Sequence, residues 1–233
     1  MYDRATLSTR LASVRERIAA AAAACGRDPL GVTLVAVSKF HPAEAVAMAA
    51  GAGQSVFGES YIQEALAKME ALATTPLAWH FIGRLQKNKA KFAAGRFALI
   101  HTVDSLDLAR TLQKRALAVG VVQDVLMQVN LAGETQKAGI AEEQAQSLAE
   151  DMLGMGNLRL LGLMVMPPYF DDPEQSRPYF IRLRALRGEL AARLGAPLPF
   201  LSMGMSNDLA QAVEEGATHV RVGTDIFGER PAA

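Results

Sequence analysis

Lys39 closes the run Thr33-Leu34-Val35-Ala36-Val37-Ser38-Lys39. A stretch that apolar reads as a strand covered on both faces. A lysine at its end has two readings. It can snorkel, sending its ammonium out to water along an apolar stem. Or it can sit half-desolvated, where burial favours the neutral amine and makes it a nucleophile toward carbonyls, as in a Schiff base. That strand alone does not decide between them.

A second group of residues lies near the C-terminus. The run LSMGMSNDLAQAVEEG places Ser206 where a helix N-cap belongs, with Asp208 in the first turn and Ser202 and Gly204 just upstream. The run VRVGTDIFG adds Gly223 and Thr224. Glycine lets a backbone N–H approach an anion, hydroxyls donate hydrogen bonds, and a helix N-terminus adds a favourable dipole. Ser206-Asn207-Asp208 alone is explained as a plain N-cap. Two such loops side by side read as a phosphate site, provided that Asp208 and Asp225 point away. Lys39 and a phosphate site together ask for a ligand with an aldehyde and a phosphate. Pyridoxal 5'-phosphate (PLP) has both. A sugar-phosphate aldolase needs the same two elements and stays open at this point.

These residues need a scaffold that brings them together. Apolar runs recur at about 33–38, 54–57, 79–82, 97–103, 124–130, 160–166, 198–203 and 219–223, with helical patterns between them at roughly 42–51, 60–72, 86–94, 105–119, 141–154, 174–194 and 206–216. Strict alternation argues a parallel sheet, and eight strands argue a closed (β/α)8 TIM barrel. An open doubly wound sheet is the alternative, but no G-x-G-x-x-G follows the first strand. No eighth helix is expected after the last strand, and an N-terminal helix over about 4–25 is expected to supply that cover. With no Pro/Ser/Gly-rich linker, residues 1–233 read as a single domain, with 1–30 as the added N-terminal helical segment. The stretch PPYFDDPEQSRP (167–178) reads as a long βα loop at the rim. In a barrel of this kind sites gather at the carboxyl ends of the strands. Lys39, Ser60, Arg84, Asn130, Met164 and Arg221 all fall at or near those ends.

Composition narrows the function classes. Of 233 residues, 50% are hydrophobic, and 24 Lys+Arg balance 24 Asp+Glu, so no nucleic-acid surface is indicated. The single cysteine, Cys25, excludes an intramolecular disulfide or a cysteine-rich zinc site and reads as a buried or semi-exposed structural thiol. The N-terminus lacks the pattern of a signal peptide, and no segment is long enough to span a bilayer. A cytoplasmic protein without membrane contact is the expectation.

Read together, LVAVSKFHP, VFGESYIQE, WHFIGRLQKNK, HTVDSLDLA, VLMQVNLAGETQKAGI, LRLLGLMVMPP and LSMGMSNDLAQAVEEGATHVRVGTDIFG resemble the YggS/PROSC family of pyridoxal phosphate homeostasis proteins. The resemblance covers about residues 33 to 228. It implies a single (β/α)8 barrel similar to the N-terminal domain of alanine racemase. It puts Lys39 at the position of the PLP aldimine lysine and Arg221 opposite the pyridine nitrogen. Ser202, Gly204, Ser206, Gly223 and Thr224 match the phosphate cradle, and Ser60, Asn130 and Met164 the surroundings of the ring. His80 and Lys137 match family motif positions. For His80 a hydrogen-bonded core imidazole is the simpler account, and for Lys137 a solvated loop lysine. One position departs: the family reads FGEN where this chain reads FGES. Ser60 keeps a donor and an acceptor but loses the amide's second group, so a contact to the ring or to Lys39 is lost or passes to water.

The resemblance also shapes the expected chemistry. Arginine is a donor only and stays charged, so it cannot take a proton from a pyridinium. The ring is then a poor electron sink. A racemase of this fold draws its opposing tyrosine from a second domain, for which a chain ending at residue 233 is expected to have no room. The expectation is a monomeric carrier that holds PLP on Lys39 and delivers it to PLP-dependent apo-enzymes, not an enzyme. The alternative is a weak amino-acid racemase with Tyr61, Tyr169 or His80 as base. No metal is expected.

Overall fold

The computed structural model describes residues 2–134 and 138–229. Lys137 therefore lies outside the described residues. Eight parallel strands close on themselves in sequence order: β1 (Thr33–Val37), β2 (Val56–Glu59), β3 (Ala78–Phe81), β4 (Leu99–Val103), β5 (Gln123–Gln128), β6 (Leu158–Met164), β7 (Phe200–Ser202) and β8 (His219–Val222). Closure runs through β1 and β8, with Val35 opposite Arg221. Most strand residues are covered on both faces, which is why most strands read as apolar runs, while β8 alternates His219 and Arg221 with Val220 and Val222.

The helices fall where the periodicity puts them: α1 (Arg4–Ala24), α2 (Ala43–Gly51), α3 (Ile62–Ala71), α4 (Ala90–Ala93), α5 (Leu106–Ala118), α6 (Ala145–Leu153), α7 (Arg177–Leu194) and α8 (Leu209–Glu214). Two local expectations are corrected. A short helix α9 (Thr224–Phe227) does follow β8. And Ser206 is not an N-cap, because α8 starts after Asp208, whose carboxylate accepts instead from the Met205 N–H at 2.7 Å. A three-residue turn is thereby inserted between the β7 loop and the helix.

Helix α1 buries Leu7, Leu11, Val14, Ile18 and Ala22, a stripe at helical spacing, against α2, α8 and α9. Asp3 caps its first turn through the Thr6 N–H at 2.8 Å. The Arg17 guanidinium reaches Asp225 and donates to the Ser206 carbonyl at 2.6 Å. The N-terminal helix thus supports the two loops from which Ser206 and Thr224 come. Cys25, expected buried or semi-exposed, is exposed at the C-cap of α1.

Candidate functional site

A cavity of about 980 Å³ opens at the carboxyl ends of the strands. Of the residues singled out from sequence, Lys39, Ser60, Ser206, Arg221, Gly223 and Thr224 line it. They arrive from β1, β2, β7 and β8, so residues far apart in sequence share one wall. Gly83 permits the β3 end to approach Ser60: a Cβ there would stand 2.1 Å from the Ser60 carbonyl oxygen.

The other four sit elsewhere. Ser202 is fully buried below the cavity, where its Oγ accepts from Arg221 Nη1 at 2.6 Å and bonds His101 Nδ1 at 2.8 Å. Its hydroxyl is occupied by these partners. Gly204 is a packing position, at φ +90°, where a Cβ would meet Ala212 Cβ at 2.4 Å. Asn130 is turned into its own loop, donating to the Glu134 carbonyl at 2.9 Å, and Gln128 lines the cavity two residues upstream. Met164 is fully buried against Leu99 and Leu126 in the barrel's inner core. Met166, two residues on, reaches the cavity. The strand ends were located correctly to within two residues, but period-2 alternation fixes the face and not the depth at which a side chain leaves the barrel.

Charge at the cavity is one-sided. Lys39, Arg84, Lys89 and Arg221 line it, against Asp208 as its carboxylate. Asp208 is nearly buried and committed to Met205, and Asp225 is paired with Arg17. Both carboxylates that would repel a phosphate are thus occupied. In a chain of zero net charge, this is a local field suited to an anion.

Arg221 is buried, and burial brings its guanidinium down to about 10, with Asp208 opposing that fall. It remains a cation at neutral pH. Nη2 donates to the Val165 carbonyl at 3.0 Å and Nη1 to Ser202. Beneath it lies a set of imidazoles that the sequence did not reveal as a group. His101 Nε2 bonds His80 Nδ1 at 3.0 Å, and His219 packs against both rings. Arginine only donates, so Ser202 accepts from it. A polarity that then satisfies every group sends the Ser202 hydrogen to His101 Nδ1 and the His101 Nε2 hydrogen to His80. Burial pushes His80 down to about 4 and His219 to about 3, the latter also by His80 and Arg221. His101 is lowered well below the usual imidazole range, by burial first and then by His80, His219 and Arg221. All three are neutral at pH 7. His80 is thus a core imidazole that does not line the cavity.

The residues present fit PLP. An amine follows β1, the Ser206 hydroxyl follows β7, and β8 between them brings the buried guanidinium, the Gly223 backbone and the Thr224 hydroxyl. Tyr61 and Tyr169 also line the cavity, and both are exposed. Among the described residues no cluster of His, Cys, Asp or Glu could hold a metal, and no helix is long and apolar enough to cross a membrane.

The chain matches the family described as alanine racemase, N-terminal domain, over residues 9–231. It is 48% identical to the pyridoxal phosphate homeostasis protein of Aquifex aeolicus, covering 95% of this chain and 97% of that one. The protein of the same name from Escherichia coli is 40% identical, over 96% of this chain and 97% of that one. Among solved structures, PipY of Synechococcus elongatus with PLP bound superposes with a TM-score of 0.86 at 38% identity, covering 95% of this chain and all of that one. An alanine racemase from Clostridium difficile shares the fold, with a TM-score of 0.73 at 13% identity, over 87% of this chain and 56% of that one.

Proposed function

This chain belongs to the family of pyridoxal phosphate homeostasis proteins, and we propose that it holds PLP covalently on Lys39 and passes it to acceptors, without efficient catalysis. The observation that carries this is the convergence of Lys39, Arg221 and the Ser206, Gly223 and Thr224 loops on one cavity. PLP supplies an aldehyde that a lysine amine can capture and a phosphate that needs donors. In this reading the Ser206 and Thr224 hydroxyls and the Gly223 backbone hold the phosphate. Arg221 donates to the pyridine nitrogen and, as a permanent cation, takes no proton from it. That leaves the ring a weak electron sink and favours storage over carbanion chemistry. Ser60 lies on the cavity wall, where a water could bridge it to the ring. Gly204 and Ser202 act from behind, the first by letting the β7 loop pack and the second through Arg221.

The acceptors are PLP-dependent apo-enzymes. The carrier works in the cytoplasm as a one-domain monomer, a state that size-exclusion chromatography checks. The aldolase alternative loses its support, since the relatives are PLP proteins. A weak racemase keeps one observation in its favour, the presence of Tyr61 and Tyr169 on the cavity wall, but at 51% and 77% exposure both phenols stand largely in solvent.

An absorbance spectrum of the purified protein tests the proposal. PLP linked to Lys39 gives a yellow protein, bleached by borohydride and absent from Lys39→Ala. Ser206→Ala with Thr224→Val lowers PLP retention at least tenfold. A protein that stays colourless at saturating PLP refutes the reading. Turnover of alanine above about 1 s⁻¹, the low end of ordinary enzyme rates, establishes the racemase instead.

A further inference from the structure

The strand that delivers Lys39 is gripped from outside the barrel by three charged residues that the proposed chemistry does not use. Glu59 ends β2 and is fully buried. Lys68 of α3 is 4% exposed, and its Nζ donates at 2.7 Å to each of three acceptors: Glu59 Oε1, Glu64 Oε1 and the Ser38 carbonyl. Ser38 Oγ in turn donates to Glu59 Oε1 at 2.6 Å. The Phe40 N–H donates to Glu64 Oε1 at 2.5 Å. The residues on either side of Lys39 are therefore both tied to one lysine-bridged carboxylate pair, Ser38 by two bonds and Phe40 by one.

Phe40 is the single non-glycine residue with positive φ among the described residues, at 69°. A side chain there crowds the backbone, and such a conformation persists only where its surroundings impose it. The Glu64 contact is one such constraint, applied at the residue after the lysine. Burying Glu59 with Lys68, while Glu64 keeps a quarter of its side chain exposed, is also unfavourable unless hydrogen bonds compensate. Compensation here is incomplete: Glu59 Oε2 has no partner, and burial raises the Glu59 carboxyl, with Lys68 and Ser38 opposing. An apolar cluster could have filled the space between α3 and the β1 and β2 ends without that penalty.

We propose that Glu59, Lys68 and Glu64 are positioning residues for Lys39, locking the Ser38-Lys39-Phe40 turn so that the lysine side chain enters the cavity in one direction. None of the three lines the cavity. This rests on the reading that Lys39 holds PLP.

The test uses the full chain and four variants, read by PLP dissociation constant, by the pH midpoint of the visible absorbance and by thermal unfolding. Glu64→Leu removes the Phe40 acceptor while leaving Lys68 bonded to Glu59, and is expected to weaken PLP binding about tenfold and to move the pH midpoint. Lys68→Met is expected to do so more strongly, with Lys68→Arg recovering part of the loss. Leu186→Ala, a buried change on α7 away from the site, serves as the control: it lowers the unfolding temperature but leaves the dissociation constant and pH midpoint in place. Folded Glu64→Leu and Lys68→Arg proteins that bind PLP within twofold of the parent, at the same midpoint, overturn the proposal. So does a Leu186→Ala protein that shifts them equally, since destabilisation alone would then account for the effect. If Lys68→Met does not fold, the other two variants decide. A parent chain that takes up no PLP refutes the cofactor reading instead and is recognised before any variant is made.

Discussion

Two buried polar clusters flank the barrel wall beneath the cavity, and they are built on opposite principles. The inner one, His80, His101 and His219 with Ser202, lies below Arg221 and contains no carboxylate. It supports a cation with neutral groups, held neutral by burial. The outer one, Glu59, Lys68 and Glu64, lies behind Lys39 and is made of full charges. Inside the barrel a carboxylate beside Arg221 would cancel the field that suits an anionic ligand, whereas imidazoles and a hydroxyl satisfy the guanidinium and leave its charge directed at the cavity. Outside the barrel the charge lies behind the strand, where carboxylates can serve as acceptors for a backbone N–H without lining the cavity. The same barrel end is tuned from both faces of its wall.

The contrast can be broken in order of expected effect. Lys68→Met leaves the fully buried Glu59 carboxylate without its cation, and an uncompensated buried charge costs about 3–5 kcal/mol, read as a drop in the urea midpoint at pH 7.5. The inner cluster should respond to pH instead. His80 is near 4 in the folded protein and about 6.5 in the unfolded chain. Below pH 6.5 the unfolded state binds the extra proton, so stability is full above 6.5, declines as pH falls to about 4, and then levels. Going from pH 7.5 to 5.0 removes about 2 kcal/mol through His80 alone. His80→Phe should flatten that slope in urea titrations at the two pH values, while an unchanged slope would show that His80 titrates alike in the folded and unfolded states. Ser202→Ala orphans an Arg221 N–H and a His101 nitrogen, at about 1.5 kcal/mol, with PLP affinity falling alongside it. Arg159→Ala, which removes a surface pair with Asp124 that lies outside both clusters, is expected to leave the urea midpoint unchanged.

Much of this was legible in the chain. The eight apolar runs gave the strand count, and the runs at 33–38 and 219–223 became β1 and β8 with ends shifted by a residue. Lys39, Arg221 and the Ser206, Gly223 and Thr224 loops were visible because unusual residues stood at strand ends, where an alternating βα pattern must place them together. Asn130 and Met164 stand at the strand ends expected but do not line the cavity, because depth along a tilted strand is set by neighbouring strands. The outer cluster went unnoticed because Glu64 and Lys68 look like an ordinary solvated helix pair four residues apart, and Glu59 like a polar residue closing a strand. Only α3 folding onto the end of β1 buries Glu59 and Lys68 and brings Glu64 to them.

By itself the sequence determined the barrel, the strand on which each key residue sits and the chemistry available to those residues, because these follow from periodicity and residue type. The tertiary structure alone decided which of them reach the cavity and which stand behind it. Ser202 carries the same hydroxyl as Ser206, yet one is locked between Arg221 and His101 and the other faces open space. That difference arises from the closing of β8 onto β1 and the stacking of side chains in layers inside the barrel, contacts between residues too distant in the chain for any local pattern to encode.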